Sequence, residues 1–106
     1  MVKFHTTYKW RTGQFKAAAK VFISLFDGTA PKIVQEAMQK FKNVQMWYAW
    51  TNNCFFAVYD LDENDISLVN VVGIYLADCW KLETTVVIDA DANGKIWDEL
   101  NILGSE

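Results

Sequence analysis

The hydrophobic residues at the start of the chain alternate with polar ones, and the pattern then changes to a helical spacing. The large or hydroxyl-bearing positions of the alternation are Phe4, Thr6, Tyr8 and Trp10. A period of two predicts a first β-strand, which we expect to end at Arg11-Thr12-Gly13. Over residues 14–42 apolar residues recur every three or four positions, which predicts a helical layer in two pieces. Gly28 and Pro31 mark the break, because glycine suits a left-handed helix cap and proline a first helical turn.

Two strand-like segments follow, and both are apolar on both faces. They run from Val44 to Thr51 and from Cys54 to Leu61, joined by Asn52-Asn53, which accepts the positive φ angles of a two-residue hairpin turn. That turn would place Thr51 opposite Cys54. One face of this hairpin would then hold Val44, Met46, Tyr48, Trp50, Phe55, Ala57, Tyr59 and Leu61. The other face would also be mainly apolar, whereas a solvated antiparallel face normally carries polar residues.

The rest of the chain predicts a third helix and a fourth strand. Asn64 lies among acidic residues that favour a helix start and is the candidate N-cap, and the apolar stripe that follows closes at Trp80. The β-branched run over residues 82–88 predicts the last strand. A polar turn over residues 89–94 and a short C-terminal helix or tail from about 95 complete the chain. Nothing marks an internal boundary, so residues 1–106 predict a single domain.

The predicted elements follow the order β, α, β, β, α, β, with the first helical layer in two pieces. This is the split-βαβ, or ferredoxin-like, order, which makes a four-stranded antiparallel sheet with helices on one face. We therefore predict an α+β fold. The second face of the sheet would be apolar and uncovered in a single chain, so a ligand, a partner chain or a second copy should cover it.

At this level the chain resembles the dimeric α+β barrel superfamily, in which two ferredoxin-like subunits pack sheet against sheet. The likeness rests on the first strand with Trp10-Arg11-Thr12-Gly13, on Tyr48-Ala49-Trp50, on Cys54-Phe55-Phe56 and on the stretch 64–83. More narrowly, the chain is similar to a family of small uncharacterised prokaryotic domains within that superfamily. The resemblance covers nearly the whole chain and implies a homodimer formed through the sheet face. It also implies a pocket between helices and sheet, where several members have theirs.

Aromatic residues, which make up 15% of the chain, supply candidates for such a pocket. Their rings would bind a small apolar or aromatic molecule, and their hydroxyls would orient it. The candidate ligand-binding residues are Thr6, Tyr8, Trp10, Tyr48, Trp50 and Tyr59. The alternative is that the same rings only fill a core and a dimer interface.

No catalytic motif stands out, so the sequence leaves enzyme activity open. His5 is the only histidine and a weak candidate for a general base. The superfamily includes oxygenases and isomerases, so the fold alone does not select a function. A cofactor-independent oxygenase or isomerase is one alternative, and a structural or protein-interaction module without catalytic activity is another. The superfamily's haem-degrading members use a helix histidine, which this chain lacks, and Thr6 stands where they have an asparagine.

Charge and composition narrow the partners further. The single histidine, two separate cysteines and loop acids give no metal-ligand spacing, so we expect neither a metal nor another cofactor. Residues 1–43 hold 8 of the 10 basic residues, but these are scattered along predicted elements rather than forming a basic arm. The third predicted strand lacks the basic residue and glycine of RNA-recognition domains, so no nucleic-acid partner is expected. The absence of a signal peptide and of an apolar run near roughly 18 residues predicts a cytoplasmic protein without a membrane partner.

Overall fold

The computed structural model describes residues 1–49 and 54–88 and has the α+β class that the sequence predicts. Its strands are β1 (Val2–Trp10), β2 (Lys42–Ala49), β3 (Cys54–Leu61) and β4 (Trp80–Val87). Its helices are α1 (Phe15–Asp27), α2 (Lys32–Met38) and α3 (Leu68–Leu76), and a short 3-10 turn, Glu63–Asp65, precedes α3. The predicted Asn52-Asn53 turn, Trp50 and the predicted C-terminal helix or tail lie outside the described residues.

The four strands form one open antiparallel sheet in the order β2-β3-β1-β4. β1 lies in the interior of the sheet and pairs with both β3 and β4, while β2 and β4 form the edges. The split helical layer between the first two strands is present as α1 and α2, as the change of spacing predicts. The whole arrangement is compatible with a ferredoxin-like fold.

The described helices pack against one face of the sheet. This covered face carries Phe4, Thr6 and Tyr8 of β1, all of which are buried. The ring of Phe22 in α1 packs on Tyr8, and the ring of Phe41, which follows α2, packs edge-to-face on Tyr59. These alternating residues of the first strand therefore face the helices.

The register of the β2–β3 hairpin differs from the predicted register by two residues. Cys54 lies opposite Ala49, and Phe55 lies opposite Tyr48, so the predicted pairing of Thr51 with Cys54 is wrong. A shift of two residues leaves the described side chains of the hairpin on their predicted faces, because side chains alternate with a period of two. The prediction relied on a two-residue turn, whereas the observed pairing leaves residues 50–53 between the paired strands.

The start of β2 is irregular and is fixed by a polar contact. Asn43 has a φ of +53°, and the pairing shifts between Lys42 and Gln45, as in a β-bulge. The Asn43 side-chain amide donates a hydrogen bond to Asp60 Oδ2 at 2.8 Å, and Lys3 Nζ lies 3.1 Å from Asp60 Oδ1. These partners, Asn43 first, hold the pKa of the Asp60 carboxyl below its ordinary value. The contact ties the bulge to β3 and, through Lys3, to β1.

The beginning and end of the third helical segment also differ from the predicted ones. Asp62, not Asn64, caps the 3-10 turn, because its carboxylate accepts a hydrogen bond from the Asn64 backbone N–H at 2.9 Å. The helix α3 itself begins after Ser67, which makes no side-chain capping bond. Trp80 does not close the helix but begins β4. Its indole N–H donates to the carbonyl oxygen of Ala18 in α1 at 2.9 Å. A large aromatic residue fits a helix end or a strand start equally well, so the pattern alone did not decide.

Two glycines are expected to respond to alanine with opposite signs. Gly28 ends α1 with a φ of +82°, a left-handed conformation in which alanine costs about 1 kcal/mol. Gly73 lies inside α3, and a Cβ added there meets nothing within 4 Å, so alanine should stabilise the protein by about 0.5–1 kcal/mol. Urea denaturation of Gly28→Ala and Gly73→Ala measures both effects. A stabilising Gly28→Ala would contradict its role as the helix cap.

Candidate ligand-binding site

A cavity of about 40 Å³ lies between the helices and the covered face of the sheet. Its space comes from small side chains in the middle of the sheet. Ala57 in β3 presents only a methyl group between Met46 of β2 and Thr6 of β1, with which it is in register. Thr6 is in turn opposite Thr84 of β4. One row of residues across all four strands therefore forms the floor of the cavity.

Three hydroxyls on the sheet side of the cavity form a hydrogen-bonded group, called here the hydroxyl cluster: those of Thr6, Tyr59 and Thr84. Thr6 Oγ1 lies 2.7 Å from Tyr59 OH and 2.9 Å from Thr84 Oγ1. Thr6 is only 1% exposed, so its hydroxyl needs these partners to offset the loss of hydration. Apart from the hydroxyl cluster and Tyr8, the described lining residues are apolar.

The two tyrosines of the cavity are held in their neutral form. Burial is the main cause that raises the pKa of Tyr8, and the neighbouring Tyr59 adds to the rise. Burial also raises the pKa of Tyr59, against the opposing effect of hydrogen bonds with Thr6 and Thr84. Both phenols therefore stay protonated at neutral pH and act as hydrogen-bond donors rather than as bases.

The mouth of the cavity is apolar and partly exposed. Phe26 of α1 and Val44 of β2 line it and are 59% and 45% exposed. Met38 lies beside them, and its flexible side chain adapts readily to a changed cavity shape. A cavity of about 150 Å³ can hold benzene, and the present one is several times smaller, so it admits a small group unless residues at the mouth move.

Three of the predicted ligand-binding residues line this cavity together: Thr6, Tyr8 and Tyr59. Thr84 belongs with them but was missed. Its β-branched surroundings predict a strand, but they do not show that it stands opposite Thr6. Only the long-range register of β4 on β1 reveals that contact.

The other predicted ligand-binding residues do not line the cavity. Trp10 lies in a separate apolar pocket, where its ring packs edge-to-face on Trp80 at a centroid distance of 6.2 Å. Tyr48 is on the covered face but packs on Phe55, with centroids 4.9 Å apart. Trp50 is outside the described residues. The covered face is thus larger than the cavity it helps to form.

His5 lies on the opposite face of the sheet, which the described helices leave uncovered. Its ring stacks on Phe56 at 5.4 Å, and Phe56 stacks on Trp47 at 5.2 Å. This aromatic row, made of His5, Phe56 and Trp47, crosses β1, β3 and β2. The sheet separates His5 from the hydroxyl cluster, so the weak catalytic candidate does not belong to the cavity.

Apolar side chains are concentrated in the middle of the uncovered face. Val58, directly opposite His5 in the β1–β3 ladder, extends the aromatic row. The charged residues of this face include Lys3, Lys9, Asp60 and Lys81, which lie toward the strand ends, and Glu83, which lies in the middle of β4 opposite Thr7. The sequence of the β2–β3 hairpin predicts that the middle of this face is apolar. It does not predict the polar residues that β1 and β4 add to the same face.

An open groove between α1 and α3 is a further concavity of the described residues. It is lined by Ile23 of α1 and Tyr75 of α3, together with the charged residues Lys20 and Asp27. At its base the hydroxyls of Ser24 and Tyr75 are 2.8 Å apart. The groove is more polar and more open than the cavity and therefore a weaker site for an apolar ligand.

The described part of the chain gives no metal site. Residues 1–49 and 54–88 contain no group of three His, Cys, Asp or Glu side chains placed to hold a metal ion. Cys54 and Cys79 are free thiols, the first buried and the second half-buried. None of the helices in these ranges has the length and apolar character needed to cross a membrane.

Comparison with protein-family models, with curated proteins and with solved structures finds no match for this chain. The cavity, the hydroxyl cluster and the aromatic row are therefore the observations from which a function can be inferred. The first two belong to the covered face of the sheet, and the third belongs to the uncovered face.

Proposed function

We propose that this chain is a homodimeric domain that binds a small apolar or aromatic molecule between its helices and its sheet. The observation that carries the proposal is the cavity, whose apolar walls carry hydroxyls only around Thr6. Small-molecule sites commonly combine an apolar lining with a few convergent polar groups that fix orientation. The hydroxyl cluster and Tyr8 fill that second role here.

The proposal includes a ferredoxin-like fold of the dimeric α+β barrel type. It is supported by the strand order β2-β3-β1-β4 and by helices that follow β1 and β3 and pack on the same face. In such an assembly two copies pack through their uncovered sheet faces. The cavity, on the other face, would stay within each subunit.

The aromatic row supports a second copy of this chain as the partner on the uncovered face. Trp47 is 45% exposed, although it stacks on Phe56. A two-fold axis through the middle of the face would bring the apolar strip of one copy onto that of the other. Charged residues of both signs near the strand ends, such as Lys9 and Asp60, would then lie at the polar rim.

A small apolar probe is expected to bind the cavity, and filling the cavity should abolish that binding. The probe 2-methyl-1-heptene has a compact branched head that enters more easily than a ring. Ala57→Leu adds a larger side chain between Met46 and Thr6, so we expect at least about tenfold weaker binding, the loss that 1.4 kcal/mol corresponds to. Titration followed by the amide signals of β2 and β3 in NMR spectra measures the affinity.

The matched control is Ala17→Leu, which adds the same atoms at an exposed position of α1. It should bind the probe as the unmodified chain does. Ala57→Val adds less volume and should lie between the two, which keeps the test valid if Ala57→Leu does not fold. Equal affinity in all variants, or no saturable binding to the unmodified protein, would contradict the proposed site.

A structural or protein-interaction module without catalytic activity is the second candidate, because the aromatic row gives a partner surface whether or not the cavity binds a ligand. An oxygenase or isomerase has weaker support. The described cavity wall carries neutral phenols and alcohols and no carboxylate, imidazole or amine. Binding, rather than proton abstraction, is therefore the function proposed.

A further inference from the structure

We infer that the ligand of this cavity is uncharged and carries a carbonyl oxygen, which accepts a hydrogen bond from the hydroxyl cluster. The inference rests on the proposed function and narrows its ligand class. It combines the unused proton of the hydroxyl cluster, the lack of charge in the lining and the small size of the cavity.

The hydroxyl cluster has one more proton than its own hydrogen bonds can use. Each hydroxyl carries one proton to donate and can accept with its lone pairs. The bonds of Thr6 to Tyr59 and of Thr6 to Thr84 use two of the three protons. If the Tyr8 phenol also bonds to Thr6, four protons serve three bonds, and one is again left over. A water molecule can accept that proton when no ligand is bound, and a ligand oxygen can replace the water.

The lining gives a charged ligand no partner. The described residues around the cavity include no acidic or basic side chain. Because Tyr8 and Tyr59 remain neutral, no phenolate is present to pair with an ammonium group. A buried ion without a partner costs several kcal/mol, so amines and carboxylates should bind poorly.

The size of the cavity suits a compact polar head with an apolar remainder. Its volume of about 40 Å³ exceeds the roughly 10–15 Å³ that one water needs by this measure. An acetyl-sized head fits this scale better than a ring does. The rest of the molecule would lie at the exposed apolar mouth, against Phe26 and Val44. A short aliphatic ketone has both properties.

A matched series of three probes tests the inference: 2-heptanone, 2-methyl-1-heptene and 2-aminoheptane. They share a seven-carbon chain and differ mainly in the head, which is a carbonyl, a methylene or an ammonium group. The ketone is expected to bind about fivefold more tightly than the alkene, since one added hydrogen bond contributes about 1 kcal/mol net. The amine should bind at least about tenfold more weakly than the ketone.

The variant that isolates the hydroxyl cluster combines Thr6→Val, Tyr59→Phe and Thr84→Val. Replacing all partners by apolar groups of the same shape removes the hydrogen bonds without leaving an unpaired group. The alkene should still bind to this variant, and its affinity and that of the ketone should become about equal. A preference that survives in this variant would overturn the inference.

A second measurement does not depend on the variant. The ¹³C signal of 2-heptanone labelled at its carbonyl should move downfield, relative to its value in an apolar solvent, when the oxygen accepts a hydrogen bond in the bound state. A bound signal at the apolar-solvent position overturns the inference. Failure of all three probes to bind would count against the proposed function itself, whereas equal binding of ketone and alkene, or strongest binding of the amine, overturns only the ligand class.

Discussion

Replacement of Phe56 by lysine is expected to weaken self-association at least about 100-fold, which corresponds to about 2.7 kcal/mol. Phe56 stands in the middle of the aromatic row, stacked between His5 and Trp47. A lysine there would place a charge in the apolar centre of the proposed interface. Burying that charge without a partner costs several kcal/mol. Sedimentation equilibrium over a range of protein concentrations measures the dimer dissociation constant of both proteins.

The matched control for this substitution is Ile74→Lys. Ile74 lies on α3, on the helical side of the molecule, and is 78% exposed. The same charge change should leave the dimer intact, because the side chain remains in water. A Phe56→Lys protein that still dimerises as tightly as the unmodified chain would show that the aromatic row is not the interface.

Trp80→Ala is expected to lower the free energy of unfolding by about 3–5 kcal/mol, as large aromatic truncations in cores do. The indole is 3% exposed and also donates its N–H to the Ala18 carbonyl oxygen. The rings that pack around it are those of Tyr8, Trp10, Phe22 and Phe55. Its loss removes the contact that joins β4, α1 and the sheet interior. Urea denaturation at one fixed protein concentration measures the change, because dimerisation makes stability depend on concentration.

Two further variants serve as references for the change in unfolding free energy. Trp80→Phe retains a ring but loses the N–H, so we expect about 1–2 kcal/mol of destabilisation. Ile33→Ala removes an apolar side chain that is 63% exposed, and its effect should stay within about 0.5 kcal/mol. A Trp80→Ala variant as stable as Ile33→Ala would contradict the central position of the indole.

Side-chain periodicity predicted much of the fold because it reports which face of an element is buried. The alternation from Phe4 to Trp10 located β1, and the change of spacing after Gly13 located the start of α1. The order of elements then led to an antiparallel sheet. Element ends were less predictable: the Trp80 ring serves a core contact with α1, and no local pattern shows whether it ends a helix or starts a strand.

Contacts that join distant parts of the chain could not be predicted from local pattern. The hairpin register depends on where the β2–β3 pairing ends, and the expected pairing of Thr51 with Cys54 is replaced by Ala49 with Cys54. The faces were nevertheless right, since an error of two residues does not change which side a residue occupies. The sequence therefore predicted which residues share a face of the sheet, but it did not predict which residues lie opposite one another.

The same distinction holds for the candidate site. Thr6, Tyr8 and Tyr59 belonged to a larger, mainly aromatic set of strand residues, and the structure places these three around one cavity. Tyr48 shares their face but not the cavity, because the position of a void depends on how the helices pack. Thr84 completes the hydroxyl cluster through its register with Thr6, which the sequence of β4 does not show.

The position of a bound probe tests the central claim, a ligand site between the helices and the sheet, most directly. We would measure intermolecular nuclear Overhauser effects between 2-methyl-1-heptene and the side-chain methyl groups of the protein. The predicted result is contact with Met46, Val72 and Leu82, which surround the cavity. Contacts confined to Ile23 and its neighbours in the groove between α1 and α3, or no contacts at saturating probe, would contradict it.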